Sequence, residues 1–150
     1  NREKLNIYIG EMAGKVLPEA FTCFTLSLDN LSELTKRFGY TVGDGVLKDF
    51  AGLVQLMGDT EGMRGYNGVG RFVVFFEECS SKKAAAMIRI LDNQVEEYNS
   101  LNPEYPIRYT AAWATTEETD TYEIRELLRL SQKKWKQMEK EKKDKTEEET

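Results

Sequence analysis

Histidine is absent from all 150 residues. With it go Ser-His-Asp and Cys-His catalysis, His-based metal sites and imidazole pH switching. Only two cysteines occur, Cys23 and Cys79, each alone in or beside a strand-like run. Zinc spacing is therefore not met, and buried free thiols are the simpler reading. The sequence leaves a disulfide open, but nothing in it suggests a secreted context. No apolar run approaches the roughly 20 residues of a membrane span, and no signal-peptide core precedes the first polar turn. Net charge is −5, without a recurring basic patch. These features argue against nucleic acid and against direct membrane contact.

What is present suits one folded domain. Hydrophobic residues make up 40% and charged residues 31%, the balance of a globular chain rather than a disordered one. The chain begins at Asn1 rather than Met, which reads as a piece of a longer cytoplasmic protein, with any membrane or sensor part outside it.

Helical spacing of Leu5, Ile9, Met12 and Val16 predicts a helix over 3–17 that Pro18 ends, within a linker segment 1–20. The run Phe21–Leu28 predicts a strand, with Phe24, Leu26 and Leu28 on one face and Phe21, Cys23, Thr25 and Ser27 on the other. Asn30-Leu31-Ser32-Glu33 reads as a capping box that opens a short helix closed by Gly39. Thr41-Val42-Gly43-Asp44 reads as a second box, opening a helix with Val46, Leu47, Phe50, Leu53, Val54 and Met57 on one stripe. Ser80-Ser81 caps a long helix, and Ile107–Thr115 predicts a further strand. A last helix runs from Tyr122 to about Met138 with Ile124, Leu127, Leu128, Ser131 and Trp135 inward. The charged tail 139–150 reads as a fraying or disordered end, or an extension of that helix. The order α-β-α-α-β-β-α-β-α predicts an α/β (α+β) sandwich, a central and mainly antiparallel sheet flanked by helices.

Between 61–67 and 71–77 lies a hairpin. Asn67-Gly68 is a favoured two-residue turn, yet the tip carries a second glycine and then a cation, Gly68-Val69-Gly70-Arg71.

Phe38-Gly39-Tyr40-Thr41-Val42-Gly43-Asp44-Gly45-Val46-Leu47, followed by that hairpin, resembles the GGDEF domain of diguanylate cyclases. The family pattern is D-x-D-x-F-K-x-x-N-D-x-x-G-H-x-x-G-D-x-x-L, then R-x-G-G-[DE]-E-F. Asp29, Gly39, Gly43, Asp44, Leu47, Gly68 and Phe72 match, and the resemblance spans residues 21–138. It implies a palm-like nucleotide cyclase fold and chemistry in which carboxylates hold Mg²⁺ while two GTP condense into cyclic di-GMP. At the positions the resemblance gives to metal ligands stand Ser27, Gly70 and Arg71. Its guanine-reading residues fall on Thr35 and Asp44, with Lys36 and Tyr40 in place of an Asp and a His. Its phosphate-contacting Lys falls on Met138, near Lys136 and Lys140. Its product-feedback R-x-x-D falls on Asp59-Thr60-Glu61-Gly62 and is missing.

Each of these residues also has a structural reading. Asp44 reads as a capping carboxylate or as a guanine reader. Asp29 is a remaining metal ligand through one weak contact, or it ends the strand and helps start the following helix, or it pairs with Arg71. Arg71 either holds a phosphate or neighbouring carboxylate in place of a metal, or is a solvated hairpin side chain. Gly68 and Gly70 could form a phosphate nest. Trp113 and Trp135 read as core residues.

The resulting expectation is a catalytically inactive GGDEF-like module of a bacterial signalling protein, needing no cofactor. Nucleotide binding, of GTP or a relative, would involve Thr35, Asp44, Gly68, Gly70 and Arg71. Its partners would be other domains of the same protein, or a second copy through the N-terminal helix. The alternative is an active, Mg²⁺-dependent cyclase with displaced carboxylates. Glu77 and Glu78 are the only acidic pair near the hairpin, and they stand at the far end of the returning strand. A third reading is a purely structural domain that binds no nucleotide.

Overall fold

The computed structural model describes residues 2–58 and 61–149, without the side chains of 148 and 149. In chain order the elements are α1 (Arg2–Met12), β1 (Thr22–Leu28), α2 (Leu31–Phe38), α3 (Tyr40–Gln55), β2 (Met63–Gly68), β3 (Arg71–Phe76), α4 (Ser81–Leu101), β4 (Tyr109–Thr115), α5 (Thr116–Thr119) and α6 (Ile124–Glu149). The four strands form one antiparallel sheet in the order β2-β3-β1-β4. The expected sandwich is the one observed, with the short α5 added.

All seven residues of β1 are buried, because helices cover both sheet faces. Alternation of side chains along the strands divides the core in two. On one face Phe24, Leu26, Phe72, Val74 and Phe76 pack with Phe50 of α3 and Leu91 of α4. On the other, Cys23, Val73 and Phe75 pack with Leu5 of α1 and Ile124 and Leu127 of α6. The two cysteines are buried and free. Among the described residues no helix is long and apolar enough to cross a membrane.

Several local expectations are corrected. The first helix stops at Met12, not at Pro18, because Gly14 takes φ +82°. Val16, expected on its inner stripe, is 85% exposed, whereas Leu17 beyond the helix is buried. Leu5 of α1 and Leu17 are buried in the core, with Tyr8, Ile9 and Met12 packed against it. Gly65 of β2 permits the close approach, since a Cβ there would stand 2.7 Å from the Leu5 Cβ. Neither predicted capping box forms. Asn30 precedes α2 but caps nothing with its side chain. Its amide donates to the Pro106 carbonyl (2.7 Å) and its Oδ1 accepts from the Arg108 N–H (3.1 Å), tying the end of β1 to the start of β4.

One residue, Gly39 at φ +95°, separates α2 from α3, so α3 begins at Tyr40 and Asp44 lies inside it. The two helices cross closely at Gly43, where a Cβ would fall 2.2 Å from the Thr35 Oγ1. Ser80 does cap α4, accepting from the Lys83 N–H at 3.1 Å. The final helix passes Met138 and continues to Glu149, so the charged tail takes the extended-helix form rather than fraying.

Candidate functional site

Strand register brings the candidate residues together. Ser27 lies opposite Arg71 of β3 on one side and Thr110 of β4 on the other. The row Arg71–Ser27–Thr110 thus crosses three neighbouring strands on the face that α6 covers. From α6, the buried Trp135 lies across it.

A chain of hydrogen bonds runs through Ser27. The Trp135 indole N–H donates to Ser27 Oγ at 2.8 Å. That hydroxyl donates in turn to Asp29 Oδ1 at 2.5 Å. The other Asp29 oxygen accepts from the Thr110 hydroxyl, also at 2.5 Å. Lys142, in the part of α6 beyond Met138, donates to Thr110 Oγ1 (3.1 Å) and to the Tyr109 carbonyl (2.7 Å). The Arg71 guanidinium lies over the Trp135 ring, 4.7 Å from its centroid. Asp29 therefore takes hydroxyls and not Arg71, correcting the expected pair.

The hairpin turn is displaced from the expected one. Gly68 pairs with Arg71, so Val69 and Gly70 are the central turn residues, and a register shift between Tyr66 and Gly68 accommodates Asn67. Gly68, Val69 and Gly70 all have positive φ, at 82°, 54° and 73°. A type I′ turn requires this at both central positions. Gly70 also approaches the chain: a Cβ would stand 3.1 Å from the Leu28 carbonyl oxygen. The Gly70 N–H donates to the Tyr66 hydroxyl (2.9 Å), and its carbonyl accepts from the Leu28 N–H (2.8 Å). The N–H needed for a phosphate nest is spent, so that reading of Gly70 is set aside.

A cavity of about 440 Å³ opens between the end of β1, α2, the hairpin tip and α6. Ser27, Asp29, Ser32, Thr35, Arg71 and Glu139 are among its walls. Of the expected residues it gathers Ser27, Thr35 and Arg71, but not Asp44, Gly68 or Gly70. Asp44 forms a surface ion pair with Lys48 at 3.0 Å, one turn along α3. Glu77 and Glu78 are exposed past the end of β3, away from the turn. Of the positions the resemblance gave to product feedback, Asp59 and Thr60 lie outside the described residues.

The roles of Trp135, Thr110 and Lys142 were not foreseen. Trp135 stood on the predicted inner stripe of its helix, where a tryptophan reads as packing. Its N–H partner lies 108 residues earlier and leaves no local trace.

These donors do not fit Mg²⁺, which takes hard carboxylate oxygens in a near-octahedral shell. Ser27 offers a neutral hydroxyl already engaged twice, and Gly70 offers no side chain. Arg71 brings positive charge, and both Asp29 oxygens are already bonded to hydroxyls. Among the described residues no group of three Asp, Glu, Cys or His side chains is placed to hold a metal ion.

Comparison with known proteins gives concordant likenesses. The family model described as "Diguanylate cyclase, GGDEF domain" matches residues 1–145. The active GGEEF domain of a diguanylate cyclase from Vibrio cholerae superposes with a TM-score of 0.71 at 20% identity, over 81% of this chain and 77% of that one. An EAL/GGDEF domain protein from M. capsulatus gives 0.71 at 14% identity, over 93% and 89%. The S helix-GGDEF-EAL portion of Vibrio cholerae LapD, bound to c-di-GMP, gives 0.57 at 11% identity, over 73% of this chain and 26% of that one. At these identities the structural likeness is one of fold. A comparison with curated proteins returned no match.

Proposed function

This chain belongs to the GGDEF domain family of diguanylate cyclases, and we propose that it is a catalytically silent member acting as a regulatory or interaction module. The observation that carries the reading is the row Arg71–Ser27–Thr110. It places a hydroxyl, Ser27, and a cation, Arg71, at two of the positions where the family resemblance expects metal-holding carboxylates, and the third is Gly70, which has no side chain. Phosphoryl transfer between two triphosphates depends on metal ions to neutralise charge and align the reacting oxygens. A guanidinium can neutralise charge but cannot activate a 3′-hydroxyl or bridge two phosphates as a metal does. Asp29 is held by hydroxyls on both oxygens and is poorly disposed to act as a general base.

Residual binding of GTP or another nucleotide is part of the proposal, in the cavity beside Thr35 and Arg71. Asp44, engaged with Lys48, contributes little to it. The module would work within a longer cytoplasmic signalling protein, through other domains of that protein. The S helix-GGDEF-EAL arrangement of the LapD chain, and the description of the M. capsulatus protein as an EAL/GGDEF domain protein, support such a setting.

Calorimetric titration with GTP, with and without Mg²⁺, tests the reading. Binding that is indifferent to Mg²⁺ and abolished by Arg71→Glu supports a metal-free nucleotide sensor. No binding leaves an interaction module. Binding that requires Mg²⁺ and is followed by turnover contradicts it.

A further inference from the structure

Arg71 and Trp135 form a wall between two cavities. On the far side from Ser27 and Asp29 lies a cleft of about 230 Å³ between the β2–β3 hairpin and α6. Its polar walls are Arg71, Lys136, Asn67, Gln132 and Thr25. Two of these are cations, three are neutral hydrogen-bonding groups, and no carboxylate is among them.

That composition is unusual on a chain of net charge −5. Three other cations of α6 are paired with acids: Arg129 with Glu126, Lys134 with Glu118 and Lys143 with Glu139. Among the described residues neither Arg71 nor Lys136 has an acidic group within 4.0 Å, as the ion pairs elsewhere show. Arg2 adds a third positive charge beside the hairpin, donating to the Asn67 carbonyl at 2.6 Å. Stacking on Trp135 restricts the Arg71 guanidinium while leaving its edge N–H groups free to donate, the preorganised fork that suits oxoanions. Thr25 fixes the floor, its hydroxyl bonded to that of Ser131 at 2.8 Å.

We propose that this cleft is a metal-independent binding site for a phosphate group, held between the Arg71 guanidinium and the Lys136 ammonium, with Asn67 and Gln132 as neutral donors. The volume of about 230 Å³ exceeds what a phosphate needs, so the atoms next to the phosphate of a phosphorylated compound would fit as well. The cleft is separate from the cavity beside Ser27, and the inference does not depend on catalytic silence.

The two tryptophan indole N–H signals in a ¹H–¹⁵N spectrum of the full chain provide the readout. Inorganic phosphate and 5′-GMP are titrated separately in EDTA, against chloride at matched ionic strength. The Trp135 signal is expected to shift saturably with phosphate, while the Trp113 signal stays fixed. Tighter binding of 5′-GMP than of inorganic phosphate identifies an esterified phosphate as the preferred form; equal or weaker binding identifies the free anion. Lys136→Gln and Arg71→Gln, both exposed positions, should each weaken the affinity about tenfold or more. Lys133→Gln, an exposed cation of the same helix outside the cleft, should leave it unchanged. No saturable shift, an equal response to chloride, or unchanged affinity in Lys136→Gln overturns the proposal. Arg71 and Trp135 also line the cavity beside Ser27, whereas Lys136 lines only the cleft, so the Lys136→Gln result is the one that assigns the site to the cleft and separates it from nucleotide binding beside Thr35.

Discussion

The Arg71 guanidinium rests on the Trp135 ring, 4.7 Å from its centroid, and the same indole donates to Ser27 at 2.8 Å. One tryptophan therefore ties together two of the positions at which a cyclase of this family would hold metal. It is 6% exposed, so its role is also one of packing. Trp135→Ala should cost about 3–5 kcal/mol by leaving a cavity. Trp135→Phe keeps a ring for Arg71 but leaves Ser27 without its donor, costing about 1 kcal/mol beyond any repacking. Urea unfolding of the two variants separates these contributions, and unchanged stability in Trp135→Phe would contradict the hydrogen bond's part.

The crossing of α2 and α3 depends on Gly43. A Cβ there would meet the Thr35 Oγ1 at 2.2 Å and the Thr35 Cβ at 3.3 Å. Gly43→Ala should destabilise the fold by about 1–3 kcal/mol through overpacking. Thr35→Ala removes the nearest atom, so the double variant should lose less than the sum of the single ones. A double-mutant cycle measures this coupling, and strict additivity would show that the helices do not meet there.

Burial raises the Cys23 thiol from its ordinary value to about 12, with a hydrogen bond from Ser131 opposing the shift. The unfolded chain releases that proton near 9, so the neutral thiol's contribution to stability is fully present below that pH. It is lost as pH climbs from about 9 to about 12. Cys23 should accordingly resist thiol reagents at pH 8 and react only at the rate of unfolding. Fast modification of the folded chain, assigned to Cys23 by peptide mapping, would contradict its burial.

Restoring carboxylates should restore a metal response. Ser27→Asp with Arg71→Glu places new acids beside Asp29, and like charges crowded together should lower the melting temperature without metal. At a Mg²⁺ concentration about tenfold above its Kd, binding should return about 1.4 kcal/mol. The unmodified chain should show no such gain. Equal Mg²⁺ stabilisation of both would mean that the native donors already hold the ion.

The strands and the inner stripes of α3, α4 and α6 were legible because burial imposes periods of two and 3.6 on the sequence. Fold-determining letters behaved likewise: Gly43 and Phe72 answer to packing that any member of the fold needs. Capping was misread where distant partners claimed the side chain. Asn30 satisfies Pro106 and Arg108 instead of its own helix, and a single left-handed Gly39 does the work assigned to Thr41 and Asp44. The turn slipped because Asn67-Gly68 is the stronger local signal. Contact with Leu28 selects a glycine at 70 and draws Val69 into a positive φ that β-branched residues rarely take. Within the site, the charges at Ser27, Gly70 and Arg71 could be read from the family pattern. The Thr110 bond to Asp29, and the reach of Lys142 back to β4, join residues 81 and 33 apart and could not.

Assay of the purified chain for cyclic di-GMP, with GTP and either Mg²⁺ or Mn²⁺, addresses catalytic silence most directly. No product should form with either metal, even at high enzyme concentration, although an active GGDEF domain in the same buffer makes it. Metal-dependent cyclic di-GMP that disappears on chelation would contradict it.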